Sequence, residues 1–358
     1  MLKRLYVHNY KCLVNFEINF DQDISLFLGA NGSGKSTVFE VLDKLVRFIV
    51  HGIKVDTIFY EADFPRWMAH TVSNDKNISI EIDIEYEKNI YKYRLELGFV
   101  SPLFGRWPSN SSIKDEILYC NNEKIFESDK NYSVNFSHSG ISRSYQANKF
   151  QEYLQKLLIA RINPIQMTAT INRLSGVALD FSNFAEWFAY LNEANRRSLS
   201  MFENAMRDIL PGFDYFRIEQ AGQVKVLQVD FENKANEKEI ITYYFNELSE
   251  GQKALIALYA LVYCAPENSL ICIDEPENFL ALPEIQPWLN VLREQCKERK
   301  LQALLISHHP SLINFLAAGS GYWFSRQDNH TRIEKITEQD NDGLSLAQLI
   351  EIGWIYGD

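Results

Sequence analysis

The alternation of apolar and polar residues changes period along this chain, and the changes mark its elements. Residues 2–8 and 14–20 alternate with period two, as the strands of a hairpin do, and "DISLFLG" is a short apolar strand ending in glycine. After "ANGSGKST" the period lengthens, because "VFEVLDKLVRFIV" is apolar at helical spacing. The order is strand, glycine-rich loop, helix. Residues 77–100 return to strict alternation around a turn near Lys88 and Asn89, which predicts a β-hairpin with one solvated face. Turn formers over 101–112 predict a loop, with weaker strand signals to about residue 136. Residues 146–161 and 181–209 have helical spacing, and "KVLQVDF" and "ITYYFNEL" predict strands. Beyond them, a helix starting at Ser249 and another near 284–298 alternate with the apolar strands "SLICID" and "QALLIS". Strand alternating with helix predicts a mainly parallel sheet, so the fold class expected is α/β, interrupted by an antiparallel β lobe and a helical insertion.

The chemistry sits at the joints of this pattern. "GANGSGKS", Gly29 to Ser36, fits the P-loop spacing G-x-x-x-x-G-K-S in its required strand-to-helix context. In such a loop the backbone N–H groups of Asn31, Gly32, Ser33 and Gly34 curl around phosphate, Lys35 reaches the β- and γ-phosphates, and the Ser36 hydroxyl ligates Mg²⁺. Thr37 is placed for an α-phosphate. "LICIDEPEN" is an apolar strand ending in Asp274 and Glu275; a carboxylate at that edge holds Mg²⁺ and its neighbour polarises an attacking water. "ALLISHHP" repeats the arrangement with His308 at the strand end, where a neutral imidazole reaches a γ-phosphate or the water; His309 reads as structural. In "NELSEGQKAL", Ser249 precedes an apolar-periodic run and Gln252 follows three residues later, the capping-box spacing. Gly251 keeps the first turn bare, and an exposed helix start of this kind attracts anions.

Composition narrows the partners. With 46% hydrophobic residues over 358 positions the chain has enough apolar material for a large core. A formal charge of −11 gives no global basic field toward nucleic acid or an anionic membrane, although "FSHSGISRSYQANKF" and "NRRS" offer local basic stretches that also read as solvated helix faces. Five cysteines without a C-x-x-C pair fit reduced structural thiols. The longest apolar run is too short to span a bilayer and the N-terminus is no signal sequence, so a cytoplasmic protein without membrane contact is expected.

In the order P-loop, Leu-Ser-Glu-Gly-Gln, Asp-Glu, His, the chain resembles the ABC-type ATPases, and within them the branch of RecF, Rad50 and SMC heads and their small bacterial relatives. "LKRLYVHNYKCLVNFEINF" looks like that branch's opening hairpin, and "DEPENFLALPEIQPWL" resembles the extended Walker B segment of compact RecF-like ATPases. The resemblance covers residues 1–50 and 240–325. It implies an ABC-ATPase head, with 1–76 and 231–358 as the halves of the nucleotide-binding domain, 77–136 as a β-rich lobe and 137–230 as a helical insertion. It also implies ATP and Mg²⁺ as cofactors, Glu275 and His308 as catalytic residues, and Ser36 and Asp274 as metal ligands. Ser249, Gly251 and Gln252 would complete the nucleotide site of another subunit, making ATP the joint of a head-to-tail homodimer or a higher oligomer. Glu250 departs from the commoner glycine of that signature. Gln166 is the candidate for a Q-loop residue, with a plain loop glutamine as the other reading, and Lys11 approaches the nucleotide by analogy or is a surface lysine.

No heptad repeat separates the two halves, which removes the long arms of SMC and Rad50, and the β-rich insert argues against a transporter. Only 22 residues follow "YWFSRQDNHTRIEKI", so no added nuclease domain is expected. The expectation is an ATPase that controls a separately encoded effector, such as a nuclease, in bacterial anti-phage defence; the alternative is a RecF-like clamp whose ATP dimer holds DNA in repair or recombination.

Overall fold

The computed structural model describes residues 1–65, 77–100, 110–128, 138–233, 239–337 and 345–351. Most of the turn-rich stretch after residue 100 and the strand signals at 129–136 lie outside the described residues. The chain divides into two compact units. The first gathers Met1–Leu157, Asn268–Leu270 and Leu312–Asp358; the second gathers Leu158–Glu267 and Ile271–Ser311.

In the first unit the opening hairpin and the β lobe form one antiparallel sheet. Its order runs Phe16–Asn19, Leu2–His8, Asn77–Tyr86, Asn89–Val100, Asn110–Cys120, Glu123–Glu127. Leu5 lies opposite Ile82 and Val7 opposite Ile80, and this register brings the apolar sets of both strands to one face. Ile78, Ile80, Ile82 and Ile84 are all buried. The helix Asn148–Gln155 adds Phe150 and Tyr153, which meet the rings of Tyr93 and Tyr86 at 5.5 and 5.6 Å. A second group of strands carries the glycine-rich loop. Gly321–Gln327 runs parallel to Ile24–Gly29 and antiparallel to His330–Lys335. Phe27 packs on Phe324 at 4.8 Å and on Phe39 at 5.9 Å, and Phe39 joins Val38, Val41, Leu42, Leu45 and Phe48 along the buried side of the helix Lys35–Ile49.

The second unit is built on the helix Glu250–Cys264, buried on every side from Lys253 to Val262, as a central helix must be. Gln302–Ile306, Leu270–Asp274 and Leu157–Ala160 are neighbours in a sheet, and the helix Leu282–Arg299 connects the first two. A separate antiparallel sheet orders Phe213–Ala221, Val224–Glu232 and Ile240–Tyr244. The helix predicted over 146–161 ends at Gln155, and "LLIA" forms a strand from Leu157. A short, fully apolar run satisfies either period, so spacing alone does not separate the two. Of the aromatic cluster in the middle of the chain, Phe181, Phe184, Trp187 and Phe188 are core, while Tyr190 is exposed. All five cysteines are free thiols, and three are buried; burial pushes the Cys264 thiol up to about 12, far from reactive. No helix among the described residues is long and apolar enough to cross a membrane.

Candidate functional site

The first unit holds the whole run Gly29 to Thr37. The strand Ile24–Gly29 ends on a glycine at φ 128°, where an added Cβ would lie 2.0 Å from the Phe324 carbonyl oxygen. Gly34, at φ 107°, precedes the helix, and a Cβ there would come within 2.4 Å of Thr331 Oγ1. Both positions therefore demand glycine for backbone angle and for space. Thr331, fully buried, donates from its hydroxyl to the Ser33 carbonyl at 2.7 Å and its N–H to the Cys12 carbonyl at 2.9 Å, so a strand from the far end of the chain props the loop. Lys35 is buried and donates to the carbonyls of Gly29 (2.6 Å) and Ala30 (2.9 Å). Ser33 Oγ is buried and has no hydrogen-bond partner among the described residues. A concave loop with an inward lysine, an unpartnered hydroxyl and a fifteen-residue helix behind it is what an anion of phosphate size requires.

Beside Thr37 opens a pocket of ≈ 540 Å³, whose lining includes Lys11, Cys12, Phe64, Arg326 and Asn329. Its volume suits a nucleoside, with Phe64 as an apolar wall and two cations at the rim. Lys11 does not reach in freely. Its ammonium donates to both Glu40 oxygens at 2.6 Å, and Tyr10 donates its hydroxyl to the same carboxylate at 2.8 Å. Burial pulls the Glu40 carboxyl upward, but the Lys11 and Tyr10 hydrogen bonds outweigh it and hold the group below its ordinary value.

Ser249, Gly251, Gln252, Asp274, Glu275 and His308 lie in the second unit. Ser249 caps its helix as the spacing predicts: its Oγ accepts the Gln252 N–H at 3.2 Å, and Gln252 Oε1 accepts the Ser249 N–H at 3.0 Å. The Gln252 side-chain oxygen is thereby engaged, and the N–H groups of Glu250 and Gly251 are those a helix start leaves for an outside acceptor. Gly251 lies against the turn after Asp274, since a Cβ on it would meet the Phe279 carbonyl at 3.0 Å. In that turn Glu275 takes a left-handed φ of 52°, donates its N–H to the Ile306 carbonyl at 2.8 Å, and accepts from Asn278 Nδ2 at 2.7 Å. His308 follows the strand Gln302–Ile306, and its N–H donates to Glu277 Oε1 at 3.2 Å. His309 accepts the Ser311 N–H on Nδ1 at 3.1 Å, a local role. Gln166 sits exposed in the short turn Pro164–Gln166. Sequence reasoning missed Glu277, Asn278, Glu40 and Thr331. Only the third carboxylate of "DEPE" left a visible signal.

Residues 24–314 match the family described as "AAA domain, putative AbiEii toxin, Type IV TA system". Over 92 residues, 26% of the chain, there is 30% identity to the DNA double-strand break repair Rad50 ATPase of Methanocaldococcus jannaschii, and the match spans 8% of that protein. The SMC head domain from Thermotoga maritima superposes with a TM-score of 0.51 at 15% identity, covering 94% of this chain and 99% of that one. The SMC head bound to the C-winged helix domain of ScpA gives 0.57 at 16%, covering 94% and 98%. At such identities the likeness is one of fold, and it bears out the expected α/β fold of an ATPase head.

Proposed function

We propose, from the premise that the chain belongs to the AbiEii-like AAA family, that this SMC- and Rad50-type ATPase binds ATP at the Gly29–Thr37 loop, hydrolyses it to ADP and phosphate, and dimerises around it. The observation that carries the reading is the cradle: Gly29 and Gly34 with no room for a Cβ, a buried Lys35 on its own loop carbonyls, and an unpartnered Ser33 hydroxyl. Phosphate oxygens would take over the Lys35 ammonium, the Ser33 hydroxyl and the loop N–H groups, and the neighbouring pocket would take the nucleoside. Among the described residues there is no cluster of three or more His, Cys, Asp or Glu fit for a metal. Mg²⁺ keeps waters and phosphate oxygens and would need only a hydroxyl and a carboxylate from the chain, the parts proposed for Ser36 and Asp274. When bound, the ion neutralises phosphate charge. Glu275 orients and deprotonates the attacking water, His308 contacts the γ-phosphate, and Ser249, Gly251 and Gln252 offer their helix start to the phosphate of a second copy.

The biological reading is control of a separately encoded effector in anti-phage defence, supported by the family's association with toxin modules. Light scattering after size exclusion tests the dimer, using Glu275→Gln to block turnover. Mg²⁺–ATP should roughly double the mass, and adding Ser249→Arg should prevent it. A mass indifferent to ATP would sink the trans arrangement. The same samples with duplex DNA separate the alternative, because a complex that dissolves steeply with added salt would favour a DNA clamp.

A further inference from the structure

Glu277 carries none of the roles assigned so far, yet it joins two of them. Its Oε1 accepts from Ser307 Oγ at 2.6 Å and from the His308 N–H at 3.2 Å. Ser307 is fully buried, and its oxygen also accepts the His309 N–H at 3.0 Å. Two residues before Glu277, the Glu275 N–H is held by the Ile306 carbonyl; one residue after it, Asn278 holds the Glu275 carboxylate. The turn that carries Glu275 and the turn that carries His308 are therefore stitched three times, once through backbone and twice through the Glu277 carboxylate.

The stitching matters because Glu275 adopts a left-handed backbone, a conformation that a residue with a Cβ keeps only where its surroundings over-determine it. It also has a surplus. Glu277 Oε2 is buried and has no hydrogen-bond partner among the described residues, although one oxygen suffices for Ser307 and His308. A plain cap needs no second buried acceptor, and a carboxylate oxygen denied water carries a desolvation penalty. A neutral acceptor would hold the same two donors at lower cost, whereas an anion draws both N–H and O–H donors into shorter, better-oriented bonds.

We propose that Glu277 is a positioning residue, fixing the His308 turn against the Glu275 turn so that the water-orienting carboxylate and the γ-phosphate contact are presented together. The inference rests on the ATP-hydrolysing reading above. It acts through its neighbours, so its loss should damage turnover and spare binding.

Five variants test it: Glu277→Ala, Glu277→Gln, Ser307→Ala, His308→Ala, and Glu277→Ala combined with His308→Ala. Glu277→Ala should lower kcat roughly 30- to 100-fold while KM for ATP stays within about threefold, the pattern of lost alignment. Glu277→Gln, whose carbonyl oxygen still accepts both bonds, should recover to within about fivefold of the parent, and Ser307→Ala should fall between. Added to His308→Ala, Glu277→Ala should cost less than about twofold more, because both remove one unit. Parental kcat in Glu277→Ala, equal loss in Gln and Ala, or losses that multiply with His308→Ala would each overturn the assignment. Amide hydrogen exchange supplies a readout without turnover: Glu277→Ala should speed exchange at His308 and Glu275 and leave the Lys35–Ile49 amides unchanged. If the parent bound ATP and failed to hydrolyse it, the hydrolysis reading would fall, and unaltered exchange in Glu277→Ala would separately overturn the clamp.

Discussion

The two units hold their chemical groups in opposite ways. In the first, the loop from Gly29 to Thr37 has no Cβ at Gly29 or Gly34, no partner for Ser33 Oγ among the described residues, and a lysine resting on carbonyls of its own loop. In the second, nearly every group is tied by a side chain: Gln252 to Ser249, Asn278 to Glu275, Glu277 to Ser307 and His308. On the proposed reading, the first arrangement would exchange internal contacts for a ligand's oxygens. The second fixes geometry in advance, and on the proposed reading that is where electrostatic catalysis would gain, since nothing would need to reorganise during the reaction. Binding and chemistry should therefore be separable by mutation.

The largest effects should show that separation. Lys35→Ala removes the buried ammonium and should weaken binding of a fluorescent ATP analogue by roughly 100-fold, the range for losing a charge-assisted contact. Glu275→Gln should leave that affinity nearly unchanged and cut the hydrolysis rate by roughly 100- to 1,000-fold, the scale of a general base. Comparable binding loss in both variants would break the contrast.

Glycines sharpen it at the level of stability. Gly29→Ala forces a Cβ onto the Phe324 carbonyl at an angle L-residues avoid, and should destabilise by about 3 kcal/mol or more, read as a fall in the chemical-denaturation midpoint. Gly251 differs, being helical with only a 3.0 Å approach to the Phe279 carbonyl. There Gly251→Ala gains helix propensity against mild crowding, so stability should change by less than about 1 kcal/mol while ATP-driven dimerisation weakens. Equal destabilisation at the two positions would mean that both glycines serve the backbone alone.

The legibility of the two units in sequence follows the same division. The loop was readable because its chemistry is local: spacing, glycine and a flanking strand and helix specify it without reference to the rest of the chain. The Ser249 cap was readable for the same reason, and the structure reproduces both of its bonds. The role of Glu277 is not legible in this way, since its partner Ser307 lies thirty residues away and nothing in spacing ties them. Thr331, 298 residues from Ser33, is still further out of reach. The opening hairpin and the β lobe read as separate pieces because pairing of Leu2–His8 with Asn77–Tyr86 leaves no local mark; each strand shows only the alternation it would have in any sheet.

The smallest predicted effect concerns Lys11, whose ammonium lines the pocket yet is clasped by Glu40. A ligand anion competes with that carboxylate for the same charge. Glu40→Gln should release Lys11 and tighten nucleotide binding by roughly two- to fivefold, the worth of a partly exposed ion pair. The sign with pH is fixed by the direction of the shift. Glu40 is held below its ordinary value of 4.5, so the clasp's contribution to stability is present above that value and is lost as pH falls through the lower folded value. Between neutrality and about pH 5 the competition should be constant, and the affinity gained by Glu40→Gln should not vary across that window. Below it, the parent's clasp protonates and its acid unfolding should be steeper than the variant's. If Glu40→Gln binds no more tightly at any pH, Lys11 is a strut between hairpin and helix, and the pocket's cationic rim reduces to Arg326.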